Sequence, residues 1–405
     1  MIPFSPPYID EEIIEAVSET LRSGWITTGK KTIELQYELG KFCNVPEVLC
    51  VNSATSGLMI ALKWFGIGAG DEVIVPAYTY CATAFAAYHL GARVIMAEVD
   101  EDFNLKSEGL RELITESTKA IIPVDFAGYP CDYESIFNIV SSSEIVDLFK
   151  PSNPIQKNLG RILVLSDAAH SIGAIYNGRP SGSLADISVF TLHAVKNVTT
   201  AEGGAICITL PDSFKSNEVF HTMKLMSLNG QTKDAFTKNT PGDWKYDIKL
   251  DGFKMNMPDI CATIGLVQIR KYKDFLLPLR KHIANRFNDA FKNKPWAILP
   301  TLAKGNTESS YHIYPLRIKD ITEKERDKII ELISKRDVAV NVHFIPLPML
   351  SFFKDIGYRI EDYPLSYKNY SCEISLPIYP QLKEIDVDLI INSVVESYNQ
   401  VKTDG

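Results

Sequence analysis

Short aliphatic runs that stop at small or acidic polar residues recur along this chain, each followed by an amphipathic stretch. That alternation limits what it can fold into. Leu49-Cys50-Val51 ends at Asn52-Ser53-Ala54-Thr55-Ser56-Gly57, after which Leu58, Ile60, Ala61, Leu62 and Phe65 recur at helical spacing. Val73-Ile74-Val75-Pro76 leads through Tyr78-Thr79-Tyr80 into a small-residue helix from Ala82 to Tyr88. Val94 to Val99 and Ala120 to Val124 repeat the strand signal, with a helix-like stretch from Leu110 to Ile114 between them. Ile162-Leu163-Val164-Leu165 terminates at Ser166-Asp167-Ala168-Ala169-His170. Strands alternating with helices predict an α/β fold, a mainly parallel sheet sandwiched by helices.

Other stretches refine this outline. Residues 9–22 carry Ile13, Ile14, Val17 and Leu21 at helical spacing, and a small polar loop around Trp25 follows, Gly24 to Gly29 with Thr27 and Thr28. Residues 141–160 are rich in Ser, Pro and Asn and read as an elaborated surface connection. Gln231 to Trp244 lacks periodicity and reads as a loop that could cover a site. The turn Asp251 to Asp259 opens a helical run from Ile260 to Leu277. Residues 311–318 and 338–345 read as strands around a helix from Glu323 to Arg336. The division expected is a large domain over 1–250 and a smaller C-terminal α/β domain over 251–405, as suits a chain of 405 residues.

Charge and cysteine usage exclude several classes. The chain has 42 basic and 50 acidic residues, a net charge of −8, which argues against nucleic acid as the main partner. No apolar run approaches the ~18 residues of a membrane span, and the N-terminus lacks a signal-peptide pattern. Seven scattered cysteines without a C-x-x-C pair read as reduced thiols, with no support for a metal site. A cytoplasmic protein is expected.

Three polar groups stand where strands end. Ser53, Ala54 and Thr55 lie where a strand turns into a helix, so free N–H groups and the helix dipole could hold a phosphate; an ordinary N-cap would use the same residues. Asp167, directly after an aliphatic strand, is either a helix cap or a carboxylate facing a ligand. Lys196 sits in the polar turn between the apolar runs Ile187–Leu192 and Ala205–Ile208, among hydroxyls and glycines; alone it would be a solvated loop lysine. Pyridoxal 5'-phosphate uses all three groups together: an anion cradle, a carboxylate that keeps the ring nitrogen protonated, and a lysine that bonds to its aldehyde.

With these residues in place, the chain resembles the DegT/StrS sugar-nucleotide aminotransferases, which are fold-type-I PLP enzymes. The resemblance runs from S-G-W-I-T-T-G to S-L-P-I-Y-P. It rests on N-S-A-T-S-G, G-A-G-D-E-V-I-V-P-A-Y-T-Y, S-D-A-A-H-S-I-G-A and F-T-L-H-A-V-K-N-V-T-T-A-E-G-G. It implies that Lys196 is the cofactor-bonding lysine, that Asp167 partners the ring nitrogen, that His170 lies near the phenolic oxygen and that Tyr80 stacks on the ring. Ser53, Ala54, Thr55 and Thr191 would hold the phosphate, with Asn256 reaching in from a second subunit. Trp25, Thr27, Thr28 and His343 would face the substrate. The activity implied is transfer of an amino group from L-glutamate to a nucleotide-linked keto sugar, in polysaccharide or amino-sugar biosynthesis, by a homodimer with shared active sites. A 4-keto, UDP-linked sugar is expected first and a 3-keto sugar on dTDP or GDP second. A dehydratase on the same scaffold would carry histidine in place of Lys196, and a non-catalytic PLP-binding sensor would not need the full set. Lys30, the segment P-L-P-M-L-S-F-F at 346–353 and the 141–160 connection depart from the family pattern and bear on substrate identity.

Overall fold

The structure is a computed structural model and describes residues 1–233 and 244–404. In chain order the first nine strands are β1 (Glu47–Val51), β2 (Glu72–Pro76), β3 (Arg93–Ala97), β4 (Thr118–Ile121), β5 (Leu163–Asp167), β6 (Ile175–Tyr176), β7 (Arg179–Pro180), β8 (Ile187–Thr191) and β9 (Gly204–Ile208). Seven of them form the large sheet in the order β1-β9-β8-β5-β4-β2-β3. Only β9 runs against its neighbours, because it returns directly from β8 as a hairpin. The β2–β3, β2–β4, β4–β5 and β5–β8 pairs are parallel. Every residue of β2 and β5 is buried, as a sheet covered on both faces requires.

Helices cover both faces. The helix Ala54–Phe65 lies so close to β8 that a Cβ on Gly57 would sit 2.7 Å from Val189. The opposite face is covered by Lys30–Cys43 and Asp259–Lys271, whose Leu35, Leu39, Ala262 and Leu266 share a core with Phe190 and Cys207. The parallel strands all place their carboxyl ends on one edge of the sheet, so the chain turns there after Val51, Pro76, Asp167 and Thr191.

A second core draws on Ile2 and on residues from Ile283 to Val394. Its strands are β10 (Ala297–Ile298), β13 (Tyr314–Ile318) and β14 (Glu373–Leu376), all antiparallel, in the order β10-β13-β14. Between β10 and β13, the short strands β11 (Ala303–Lys304) and β12 (Thr307–Glu308) join β6 and β7 in a small sheet, where Glu308 pairs with Ile175. That pairing ties the segment before β13 to the loop after Asp167.

Several expectations need correction. Residues 141–160 are not merely a loop: they contain the helices Ser143–Leu148 and Pro154–Leu159, the second capped by Asn153. Residues 338–345 form no strand, only isolated bridges from Val338 to Ile2 and from Asn341 to Ser375, and β14 fills the strand position instead. The helical run from Asp259 does not stop at Leu277. It widens into a π-helical turn at Tyr272–Leu276 and continues as Leu277–Phe291, where Pro278 in the first turn lacks the N–H a regular ladder needs. The loop read at Gln231 to Trp244 lies largely outside the described residues.

Candidate active site

The carboxyl edge of the large sheet gathers the acid, the lysine and the helix terminus. Asp167 ends β5 and is buried, 6% exposed. Thr83 donates its hydroxyl to Oδ2 at 2.7 Å and the Ala169 amide donates to Oδ1 at 3.2 Å. Thr79 lies 2.9 Å behind Thr83 and supports it. Burial pushes the Asp167 carboxyl up, against the Thr83 and Ala169 bonds and the Lys196 charge, which favour its ionised form.

Lys196 lies in the β8–β9 hairpin loop, half-buried, with its amide bonded to the His193 carbonyl at 3.0 Å. Removal from water lowers its pKa to about 7, with Asp167 pulling the other way. An amine in that range is partly neutral at physiological pH and can act as a nucleophile or proton carrier.

Three histidines surround this amine. His170 is buried, and its Nδ1 accepts the Ala127 amide at 3.2 Å, so a neutral ring carries its proton on Nε2. Burial, Lys196 and His343 hold its pKa well below the usual imidazole range. His312 lies tilted against His170 with centroids 4.4 Å apart and places Nε2 3.4 Å from Lys196 Nζ. His343 comes from the segment after the helix Glu323–Ser334, bonds through Nδ1 to Ser375 at 2.9 Å, and stacks on Phe4 at 5.4 Å. Next to it Phe344 stacks on His170 at 5.8 Å and leans on Tyr80 at 6.0 Å. Tyr80 itself is 61% exposed, an aromatic face left open at the site.

Ser53 caps the helix Ala54–Phe65 by accepting the Ser56 amide, and the first intrahelical bond runs from the Gly57 amide to the Ser53 carbonyl at 3.1 Å. The Ala54 and Thr55 amides precede that bond and face out of the helix terminus. Gly204, paired with Thr191, brings the hairpin against this terminus: a Cβ there would meet Ala54 N at 2.6 Å. The hydroxyl of Thr191 and the helix terminus therefore share one corner.

Trp25, Thr27, Thr28 and Asn256 form a neighbouring group. Asn256 donates to Thr28 Oγ1 at 2.6 Å, and Thr28 donates to the Met257 carbonyl at 2.6 Å. Trp25 Nε1 donates to the Thr28 carbonyl at 3.3 Å, and the Asp259 amide donates to the Thr27 carbonyl at 3.2 Å. Asn256 does not cap the helix it precedes; Pro258 holds that position. Instead it bridges to Val51 at the end of β1. Asp259, which sequence reasoning passed over, holds the whole loop by accepting from Gly29, Lys31 and Thr32 at 2.7–3.1 Å.

These groups fit PLP. Asp167 has hydroxyl and amide donors and, among the described residues, no arginine bonded to it, which leaves a buried carboxylate able to take a ring N–H. The helix terminus with Thr191 offers donors for a phosphate, and Lys196 offers an amine near neutrality. Sequence reasoning missed Thr83, Asn197 and His312. Asn197 stands beside Lys196, a proximity that could have flagged it; His312 had no local signal.

A mainly parallel sheet with this set at its carboxyl edge is the frame of the fold-type-I PLP-dependent transferases. The chain belongs to the DegT/DnrJ/EryC1/StrS aminotransferase family, whose model matches residues 7–149 and 154–395. The match breaks inside the 141–160 connection. Spr1654 of Streptococcus pneumoniae, a sugar aminotransferase by name, has a PMP-form structure that superposes with a TM-score of 0.95 at 42% identity, covering 99% of this chain and 100% of its own. The same protein in its PLP form gives a TM-score of 0.94. The spore coat polysaccharide biosynthesis protein SpsC of Bacillus subtilis is 34% identical over 97% of this chain and 96% of its own. UDP-4-amino-4-deoxy-L-arabinose–oxoglutarate aminotransferase of Shewanella sediminis is 30% identical over 98% of this chain and 97% of its own. The protein is a PLP-dependent aminotransferase. Among the described residues no helix is long and apolar enough to cross a membrane, and no cluster of ligating side chains could hold a metal.

Proposed function

We propose that this enzyme moves the amino group of L-glutamate to the 4-keto position of a nucleoside diphosphate sugar, with UDP as the first choice of nucleotide. The observation that carries the transamination chemistry is a buried carboxylate bonded by a hydroxyl and an amide, in the electrostatic reach of a lysine whose pKa burial lowers to about 7. The Shewanella relative, named for a UDP-sugar and oxoglutarate, supports the choice of substrates.

When bound, PLP supplies an electron sink for the pair of electrons left at the amino-bearing carbon as its proton departs. Asp167, oriented by Thr83 and Ala169, holds the proton on the ring nitrogen. Lys196 would move the proton that leaves the donor's α-carbon within the first half-reaction and, in the reverse sense, supply the one that arrives at the acceptor carbon in the second. His170, with its proton on Nε2, would offer an N–H to the cofactor's phenolic oxygen, Ser53, Ala54, Thr55 and Thr191 would hold its phosphate, and Tyr80 would supply an aromatic face for its ring. Trp25, Thr27, Thr28 and His343 line the route for the sugar. Asn256 completes the site of a second subunit in a homodimer, an amide able to donate to phosphate without adding charge.

The test is a visible-band assay. L-Glutamate should bleach the purified yellow protein, and a 4-keto sugar nucleotide should restore the band. A panel of UDP-, dTDP- and GDP-linked 4-keto and 3-keto sugars ranks the acceptors. Restoration by 3-keto sugars alone would sink the ring-position assignment. For the shared site, inactive Lys196→Ala chains mixed with Asn256→Ala chains should regain activity after subunit exchange. Confirmed exchange without recovery would place Asn256 in its own chain's site.

A further inference from the structure

Behind Lys196 lies a buried relay whose polarity runs one way. Asn197 donates from its amide nitrogen to the Ser310 carbonyl at 2.8 Å and to Tyr272 Oη at 3.0 Å. A carbonyl can only accept, so the amide orientation of Asn197 is settled by Ser310. Tyr272 in turn donates to the Ile172 carbonyl at 2.8 Å. The oxygen of Asn197 therefore faces His312 Nδ1, 2.9 Å away, and that nitrogen must carry the proton. Nε2 of a neutral His312 is left bare, and it is this atom that stands 3.4 Å from Lys196 Nζ.

We propose that His312 is a positioning residue for the reactive lysine: locked by Asn197 into the tautomer that bares Nε2, it accepts a hydrogen bond from the Lys196 amine whenever that amine is not bonded to the cofactor. The proposal rests on the reading of Lys196 as the cofactor-bonding lysine. His312 serves as an acceptor and does not take the proton. The groups facing it are Lys196, His170, Arg280 and His343, and burial together with all four opposes a charge on its ring. Among the described residues Asp167 is the acid that acts on Lys196, while His170, His312 and His343 are all pushed toward the neutral form. His312 therefore takes no proton from the amine, and Lys196 remains the group that carries it. The two adjacent imidazoles then do opposite jobs: His170 presents an N–H, His312 a lone pair.

The backbone holds His312 in place. Its amide bonds to the Ala127 carbonyl at 3.2 Å, that of Ser310 bonds to the Gly128 carbonyl at 3.0 Å, and Arg280 donates to the His312 carbonyl at 3.4 Å. The segment before β13 is thereby fixed to the loop that carries His170's own amide donor, Ala127.

The test reads Lys196 directly. In the full-length chain stripped of PLP, competitive acetic anhydride labelling followed by peptide mass spectrometry gives the pH midpoint of Lys196, expected near 7. His312→Asn keeps a polar group toward Asn197 but is too short to reach Nζ, and should lower that midpoint by about one pH unit, because a neutral acceptor favours the ammonium form. His312→Gln, whose amide oxygen reaches the Nε2 position, should restore it. Asn197→Ala frees the imidazole proton to move to Nε2 and should shift the midpoint the same way by a smaller amount; it carries the test if a His312 variant does not fold. A His312→Asn midpoint equal to wild type, or a Gln variant displaced as far as Asn, overturns the proposal. Borohydride reduction of the PLP-loaded wild type separates the two readings. If the label maps away from Lys196, the lysine assignment fails. If it maps to Lys196 and the midpoints do not move, only the role of His312 fails.

Discussion

Asp167 and Asp186 are both buried acids of the large sheet, one at its carboxyl edge and one at its amino edge, and they are neutralised in different ways. Asp186 immediately precedes β8 and receives both Nη atoms of Arg161 at 2.7 Å, with a third bond from the Val164 amide at 3.0 Å. A two-pronged guanidinium satisfies that carboxylate within the protein. Asp167, at 6% exposure against 3% for Asp186, has only a hydroxyl and an amide. The edge that closes the fold pairs its acid with a directly bonded cation, while the acid at the site edge feels the Lys196 charge and has no bonded cation among the described residues. That shortage is what a ring N–H would supply.

The largest effect expected at the site edge is from Lys196→Ala, which should cost on the order of 10³-fold or more in turnover, because cofactor attachment and proton transfer leave together. Retention of turnover within ~10-fold would remove the lysine from the chemistry. Asp167→Asn should follow, slowing transamination by ~10²-fold while leaving the melting temperature unchanged or raised, since a buried carboxyl disfavoured by desolvation is gone.

The amino edge should respond in the opposite sense. Asp186→Asn leaves Arg161 without its carboxylate and should cost about 3 kcal/mol in chemical denaturation with little change in turnover per folded molecule. Should Asp167→Asn destabilise the protein as much as Asp186→Asn, the contrast between the edges would break.

The smallest effect is a pH dependence. Because the native amine of Lys196 titrates at about 7, the stripped chain carries it charged below that value and neutral above. The rate of PLP capture should rise as pH climbs through that point and then level off. A flat profile across roughly pH 6 to 9 would show that Lys196 titrates nearer its ordinary value.

Sequence by itself determined the strand ends and the residues set on them. Apolar runs stopping at Asn52, Pro76, Ser166 and the polar turn after Leu192 are local patterns, and covering both faces of the sheet enforces them residue by residue. Asp167 stood out for the same reason, since a polar group at the end of a buried strand has few places to go, whereas Lys196, five residues past β8, was marked only by the polar turn around it. Tertiary structure decided what depended on distant partners. The helices within 141–160 are short and only the second has a side-chain cap; it is anchored by Asn153 and Gln156, which both donate to the distant Phe65 carbonyl. The position expected for a strand at 338–345 went to Glu373–Leu376, because ladder formation depends on which segment reaches β13. Asp259 acts by reaching back to Gly29, 230 residues earlier, and His312 by meeting Lys196 across 116 residues. No window of sequence contains both members of either pair, and a side chain's protonation and hydrogen bonds are set by what faces it after the chain has closed.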